Sequence, residues 1–328
     1  MRKSFAVLLI IATATCFTLI VACNNETKTT TEPEATTAKP NEDSIKKVID
    51  RGAYLAMHVT GCMDCHSKHD WTKYSGPMVP GTEGQGGEKF DQKLVGVPGV
   101  VYARNITPDK ETGIGNWSDA EIIRAMTQGI SKNGDTLFPL MPYPHLNQLA
   151  KEDILSIVAY LHTLKPIKNE VPKRQLMLPA MSLAYPPNLK PSIDSNVIPP
   201  VSNQVAYGGY LTNAAACMDC HTPMIKGQFD FQHAFSGGLT FNAETFKVSS
   251  ANITPDSATG LGTWTEDRFL NKFIPYRKEE GYNHEAGKQN TIMPLTFYAG
   301  MTDDDLKAIY AFLKTLPPTK HAVEKYPK

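Results

Sequence analysis

The sequence predicts a mainly α chain: a tandem repeat of two small helical domains with long loops, behind an export signal and a disordered tether. Three observations carry this reading. Cys62-Met63-Asp64-Cys65-His66 returns as Cys217-Met218-Asp219-Cys220-His221, 155 residues on. Asn105-Ile106-Thr107-Pro108-Asp109, followed by Thr112-Gly113-Ile114-Gly115 and Trp117, returns 147 residues on as Asn252-Ile253-Thr254-Pro255-Asp256, Thr259-Gly260-Leu261-Gly262 and Trp264. Met141-Pro142 returns as Met293-Pro294 after 152 residues, and that register runs without a gap to Tyr160-Leu161 against Phe312-Leu313. Two copies of one unit also account for a length of 328 residues, which suits about two domains.

The N-terminus has the form of an export signal. Arg2 and Lys3 are followed by an apolar run from Phe5 to Val21, too short for a spanning helix with these flanks. Ile20-Val21-Ala22-Cys23 resembles the bacterial lipobox, in which the cysteine is acylated and becomes the first mature residue. Residues 1–22 are therefore expected to be a lipoprotein signal peptide and Cys23 a lipid anchor; an ordinary signal peptide or an uncleaved anchor is the alternative. Residues 24–43 are mostly Thr, Glu, Pro, Lys and Asn, which bury no core and suit a flexible tether with a span of about 25 Å.

The first repeat is expected over residues 44–170. Ser44 precedes Ile45, Val48, Ile49, Tyr54 and Leu55 at near-helical spacing, leading into the first cysteine motif. Ser118 with Glu121 forms a capping box ahead of Ile122, Ile123 and Met126, and Lys151 to Leu164 reads as a helix stopped by Pro166. A proline-rich connector, 171–200, contains seven prolines among Leu176, Met177, Leu178, Met181, Leu183 and Tyr185; it reads as extended chain lying against the domains. The second repeat, 201–328, ends with a helix capped by Thr302 and Asp305. No βαβ alternation appears. Each unit has little core of its own, so a large group should fill its middle.

Cys-x-x-Cys-His identifies that group as haem c, bound by thioethers to two cysteines and ligated through the next histidine. At this chain's own composition of 6 Cys and 9 His, about 0.003 chance matches are expected. Cys62, Cys65, Cys217 and Cys220 are the attachment residues, and His66 and His221 the iron ligands. A zinc site would need four ligands together, a thioredoxin-like pair would need a βαβ frame, and a disulfide across two residues adds little stability. Met141 and Met293 are the candidates for the opposite iron ligand: each precedes a proline that forces an extended loop, and they follow their histidines by 75 and 72 residues. Their rivals do not repeat, since Met301 aligns with Leu149, Met224 with His69, His145 with Phe297 and His162 with Lys314. Such a His/Met pair fills the iron's coordination and leaves it electron exchange. For Asn105 to Trp117 and its copy two readings stay open: a turn with an indole at the porphyrin edge, or plain turn and core. Arg104 and Arg124 are candidate propionate partners.

These motifs, from the cysteine pairs to the Met-Pro element and its following helix, resemble those of the multihaem cytochrome c subunits of membrane-bound bacterial alcohol, gluconate and related dehydrogenases. The similarity covers about residues 44–328 and implies two class I cytochrome c domains. It also implies that a catalytic partner oxidises substrate and this chain relays the electrons towards the respiratory chain; the expected donor is a membrane-bound or periplasmic dehydrogenase and the expected acceptor a soluble cytochrome or terminal oxidase, and the export signal and lipobox put the domains in the periplasm. Those subunits commonly carry three haems and often a membrane helix, whereas two motifs and a lipobox stand here. The runner-up is a dihaem enzyme such as a peroxidase or a sulfur-compound oxidising cytochrome. No spare thiol remains for cysteine ligation, and the likeness of the two motifs argues against unlike haems. Equal counts of 33 basic and 33 acidic residues exclude a nucleic-acid coat, and 41% hydrophobic content argues against a polytopic membrane protein.

Overall fold

The computed structural model describes residues 41–177 and 193–328. The export signal, Cys23, the tether before Asn41 and residues 178–192 of the connector lie outside the described residues. From Asn41 to Lys328 the chain forms one compact unit. It is mainly α, with 37% helix and 9% strand.

The first half begins with α1 (Glu42–Tyr54), which runs through a π-helical turn (Leu55–Val59) into α2 (Cys62–Cys65). The cap is Asn41, whose side chain accepts from the Ser44 amide, so the helix starts ahead of Ser44 and takes in the last residues expected of the tether. Strands β1 (Lys89–Asp91) and β2 (Gly99–Tyr102) flank α3 (Gln92–Val95). Then follow α4 (Asp119–Gln128), α5 (Tyr143–Leu146) and α6 (Lys151–Leu161). The Ser118–Glu121 capping box forms as expected. The connector enters as β3 (Gln175–Leu176), an added antiparallel strand with Gly99 opposite Leu176.

The second half repeats this plan. Helices α7 (Gln204–Ala214) and α8 (Cys217–His221) lead to a small hairpin of β4 (Met224–Ile225) and β5 (Gln228–Phe229). Strands β6 (Thr240–Asn242) and β7 (Lys247–Ser249) pair antiparallel, and α9 (Glu266–Leu270), α10 (Leu295–Tyr298) and α11 (Asp303–Leu313) complete the chain. Thr302 caps α11 by accepting from the Asp305 amide at 3.1 Å.

The first and last helices of each half cross at nearly touching backbones. A Cβ on Gly52 would stand 1.8 Å from the Ser156 carbonyl oxygen, and one on Gly208 would stand 1.8 Å from that of Ala308. From these crossings to the first cysteine the chain takes ten residues in the first half and nine in the second. The π-turn absorbs the extra residue: the Thr60 amide donates to Leu55 O at 2.8 Å, five residues back, where the Ala215 amide reaches Leu211 O four residues back.

The two halves face each other with reciprocal contacts. Tyr54 donates to Asp305, and its hydroxyl accepts from the Thr302 amide at 3.2 Å. In return Tyr210 donates to Asp153 at 2.7 Å and accepts from the Ala150 amide at 3.2 Å. His58 likewise donates through Nδ1 to Phe297 O at 2.9 Å, while Asn213 Nδ2 donates to His145 O at 3.1 Å. Such exchange of equivalent partners is an isologous, pseudo-two-fold interface. One apolar cluster, from Leu55 through Ile154 to Leu211 and Leu313, runs through both halves, so each contributes core to the other.

Because the helix crossings leave no room, Gly52→Ala and Gly208→Ala are each expected to cost about 1–3 kcal/mol, as overpacking does. Denaturant unfolding measures this, and unshifted midpoints would show that the crossings can spread freely.

Candidate haem-attachment site

Each attachment segment is one helical turn entered through a left-handed residue, Gly61 (φ 68°) before α2 and Ala216 (φ 48°) before α8. The turn places its two cysteines three residues apart, on one face. Among the described residues none of these four cysteines is in a disulfide. The following histidines are buried and set alike: His66 Nδ1 donates to Arg104 O at 2.6 Å, and His221 Nδ1 donates to Ala251 O at 2.7 Å. Burial lowers both pKa values, and the carbonyl bonds only partly offset it, so the rings are held neutral. With Nδ1 carrying the proton, Nε2 holds a lone pair for which the described residues offer no hydrogen-bond partner.

Those carbonyls belong to the residues just before Asn105 and Asn252, which gives the Asn-Ile-Thr-Pro-Asp element its task. Asn105 Oδ1 accepts from Thr107 N and Oγ1 at 2.9 and 2.7 Å, and its Nδ2 donates to Thr112 Oγ1 at 2.9 Å and Ile167 O at 2.7 Å. Asn252 repeats the pattern with Thr254, Thr259 Oγ1 (3.0 Å) and Thr319 O (2.8 Å). Asp109 and Asp256 cap the same loops by accepting from Thr112 and Thr259. The element ties the chain beyond the last helix to the loop that orients the histidine, while Trp117 and Trp264 pack partly buried against the core. Arg104 spends its guanidinium on Val171 O and Pro172 O, both 3.0 Å, and Arg124 donates to Ser131 O at 2.9 Å. These bonds tie down the connector and a loop.

Met141 and Met293 both lie against the apolar cluster, in turns that open α5 and α10 through Pro142 and Pro294. The second turn is held from the first half of the chain. Ser75 Oγ donates to Met293 O at 2.7 Å and accepts from the Leu295 amide at 2.9 Å. Asn290 Oδ1 accepts from the Ser75 amide at 2.8 Å, and its Nδ2 donates to Lys73 O at 3.0 Å. Sequence reasoning missed Ser75 and Asn290 because their partners lie more than 200 residues away.

The aspartate inside each attachment turn meets a histidine. His69 Nε2 is 3.2 Å from Asp64 Oδ1, its Nδ1 is 3.4 Å from Glu88 Oε1, and its ring stacks on Trp71. Asp219 is met across the interface by His145, at 2.8 Å. The Tyr298 phenol donates to Ala215 O at 2.9 Å, and burial pushes its pKa up. Sequence reasoning dismissed His145 as a non-repeating iron ligand; that departure from the repeat, opposite Phe297, was the available signal.

Paired thiols on one turn, an adjacent imidazole with a preset lone pair and a methionine turn on the same core fit a haem c. A zinc reading fits poorly, since the described residues contain no cluster of three or more His, Cys, Asp or Glu able to hold a metal ion.

Comparison with known proteins decides the second half. The cytochrome c family model matches residues 205–317.

Residues 205–317 are a cytochrome c domain.

A cytochrome c domain implies covalent haem c. Over 293 residues the chain is 29% identical to the cytochrome c subunit of the quinone-type alcohol dehydrogenase of Gluconobacter oxydans, covering 84% of this chain and 56% of that one. It is also 29% identical to the gluconate 2-dehydrogenase cytochrome c subunit of Pantoea cypripedii, over 85% of this chain and 62% of that one. The chain thus spans less than two thirds of the length of these subunits. A diheme cytochrome c-type protein of Cereibacter sphaeroides is 25% identical over 78% of this chain and 82% of its own. The similarity therefore extends beyond the cytochrome c domain into the first half of the chain.

His69 gives a pH prediction. Burial opposes its charge, but Asp64 and Glu88 outweigh burial and raise its pKa from 6.5 to about 9. Its folded-state proton is held more tightly than its unfolded one. The resulting stabilisation, about 3 kcal/mol, is complete below pH 6.5 and is lost as pH rises towards 9. Denaturation across that window should show the decline, and His69→Gln should flatten it.

Proposed function

We propose that the chain carries two covalent haem c groups, one in each of two tandem class I cytochrome c domains spanning about residues 44–170 and 201–328. In this reading it relays electrons from a dehydrogenase to a downstream respiratory acceptor. Cys62 and Cys65 would hold the first group and Cys217 and Cys220 the second, each thiol adding across a vinyl group. The haem iron supplies one-electron exchange, and the protein's share is to hold and tune it.

The observation that carries the reading is the matched setting of His66 and His221. Two turns 155 residues apart present the same neutral ring, tied through Nδ1 to the carbonyl before the same Asn-Ile-Thr-Pro-Asp element. That tie fixes the ring plane and directs the Nε2 lone pair to a metal. Met141 and Met293 would supply the other protein ligand to each iron, since their turns open through matching Met-Pro steps onto the core that includes Cys62 and packs Cys217. A closed His/Met site keeps small molecules off the iron and favours electron transfer over substrate chemistry. The dehydrogenase donor is supported by the names of the relatives, two of which are cytochrome c subunits of alcohol and gluconate dehydrogenases.

The Cys23 lipid and the tether ahead of Asn41 would leave the domains in the periplasm, beside the membrane. Among the described residues no helix is long and apolar enough to cross a membrane.

Pyridine haemochrome analysis with intact mass should find two haems per chain; a count of one refutes the reading. Met141→Ala and Met293→Ala should each lower one midpoint potential and open one iron to cyanide, and two unchanged titrations would remove the methionines from the ligand set. Cys23→Ser should move the protein from the membrane to the soluble periplasmic fraction; continued membrane association would refute the lipid anchor.

A further inference from the structure

We propose that His145, from the first half of the chain, is held as an imidazolium against the second attachment turn, and that its charge raises the potential of the haem there above that of the first. This rests on the two-haem reading and adds a direction of flow to it.

The protonation state follows from the partners. His145 Nε2 lies 2.8 Å from Asp219 Oδ1, and Nδ1 lies 2.8 Å from Asn213 Oδ1. The Asn213 amide has little freedom to turn over, because its Nδ2 donates to the main-chain carbonyl of His145 itself at 3.1 Å. Its oxygen must then face the ring. An imidazole between two acceptors satisfies both only by carrying both protons. The ring is 7% exposed, so its positive charge acts with little solvent screening. Burial pulls the pKa down, but Asp219 and Asn213 outweigh it and hold the ring above its ordinary value.

The two attachment turns therefore differ in charge although their sequences are the same. At the second turn one carboxylate, Asp219, is matched by one imidazolium. At the first turn one imidazolium, His69, faces two carboxylates, Asp64 and Glu88. The difference is Glu88, a second carboxylate 3.4 Å from the His69 ring, which has no counterpart among the described contacts of His145. Among the described residues no cation crosses the interface to balance it, because the residue equivalent to His145 is Phe297, whose ring centroid lies 5.9 Å from that of His69 and whose carbonyl accepts from His58.

Extra negative charge favours the ferric state, so a haem held by Cys62, Cys65 and His66 would have the lower potential and one held by Cys217, Cys220 and His221 the higher. An electron would then pass from the first site, oxidised from ferrous to ferric, to the second, reduced from ferric to ferrous, which would make the first site the entry and the second the exit.

The test uses the full holoprotein. Haem count comes first: fewer than two haems defeats the two-haem reading, whereas two resolved midpoints in the wild type leave His145 to be tested alone. His145→Phe installs the residue found at the equivalent position, and His145→Gln keeps a donor towards Asn213; both remove the charge. In spectroelectrochemical titration each should lower the higher midpoint, the one that Met293→Ala also lowers, and leave the lower midpoint in place. An unmoved higher midpoint, or movement of the step that Met141→Ala shifts, overturns the proposal. The reduced wild-type protein supplies a measurement independent of how the variants fold. Long-range nitrogen–proton correlation at neutral pH should show the His145 ring protonated on both nitrogens, and a singly protonated ring overturns the proposal.

Discussion

The near-contact of first and last helices in each half is the constraint on which the rest depends. At Gly52 against Ser156 and Gly208 against Ala308 the backbones meet with no side chain between them. That closeness fixes where each first helix ends and so where its attachment turn begins. It also brings the tyrosine two residues on, Tyr54 or Tyr210, to the interface, where each reaches the start of the other half's last helix. The internal geometry of one half thereby sets the docking geometry of both. An isologous interface built this way uses each contact twice, which is how a duplicated unit buries a shared core without a second set of specific residues.

Asymmetry is added to this frame at a few positions, and most of it falls where function is expected. The first half lends Ser75 to the Met293 turn and His145 to the Asp219 turn; the described contacts show no equivalent loan in the other direction at those two places. The π-turn at Leu55–Val59 is a further asymmetry, and it lets an extra residue into the first half without moving Cys62 off register. A repeated frame can thus give two turns of the same sequence unlike surroundings.

Much of the frame was legible from sequence. The Ser118–Glu121 box, the Thr302 cap and the final helices form where local capping and periodicity place them, because those signals act within one turn. Ser44 was a weaker guide than Asn41, since both offer a capping oxygen and only the backbone angles choose between them. The Asn-Ile-Thr-Pro-Asp element could be read two ways from its residues alone. Its role as the support for a histidine-orienting carbonyl needs Ile167 and Thr319, over sixty residues downstream.

What the sequence determined by itself is the make-up of each Cys-Met-Asp-Cys-His turn: cysteine spacing, the adjacent histidine and the repetition of both are local facts, set along one helical turn. What only the tertiary structure decided is the electrostatic company those turns keep. Asp64 and Asp219 are identical in sequence context, yet one meets a histidine of its own half beside a second carboxylate and the other meets a histidine from across the interface. A charge acts over ångströms of space in a medium that screens it poorly, and residues far apart along the chain become its nearest neighbours only after folding.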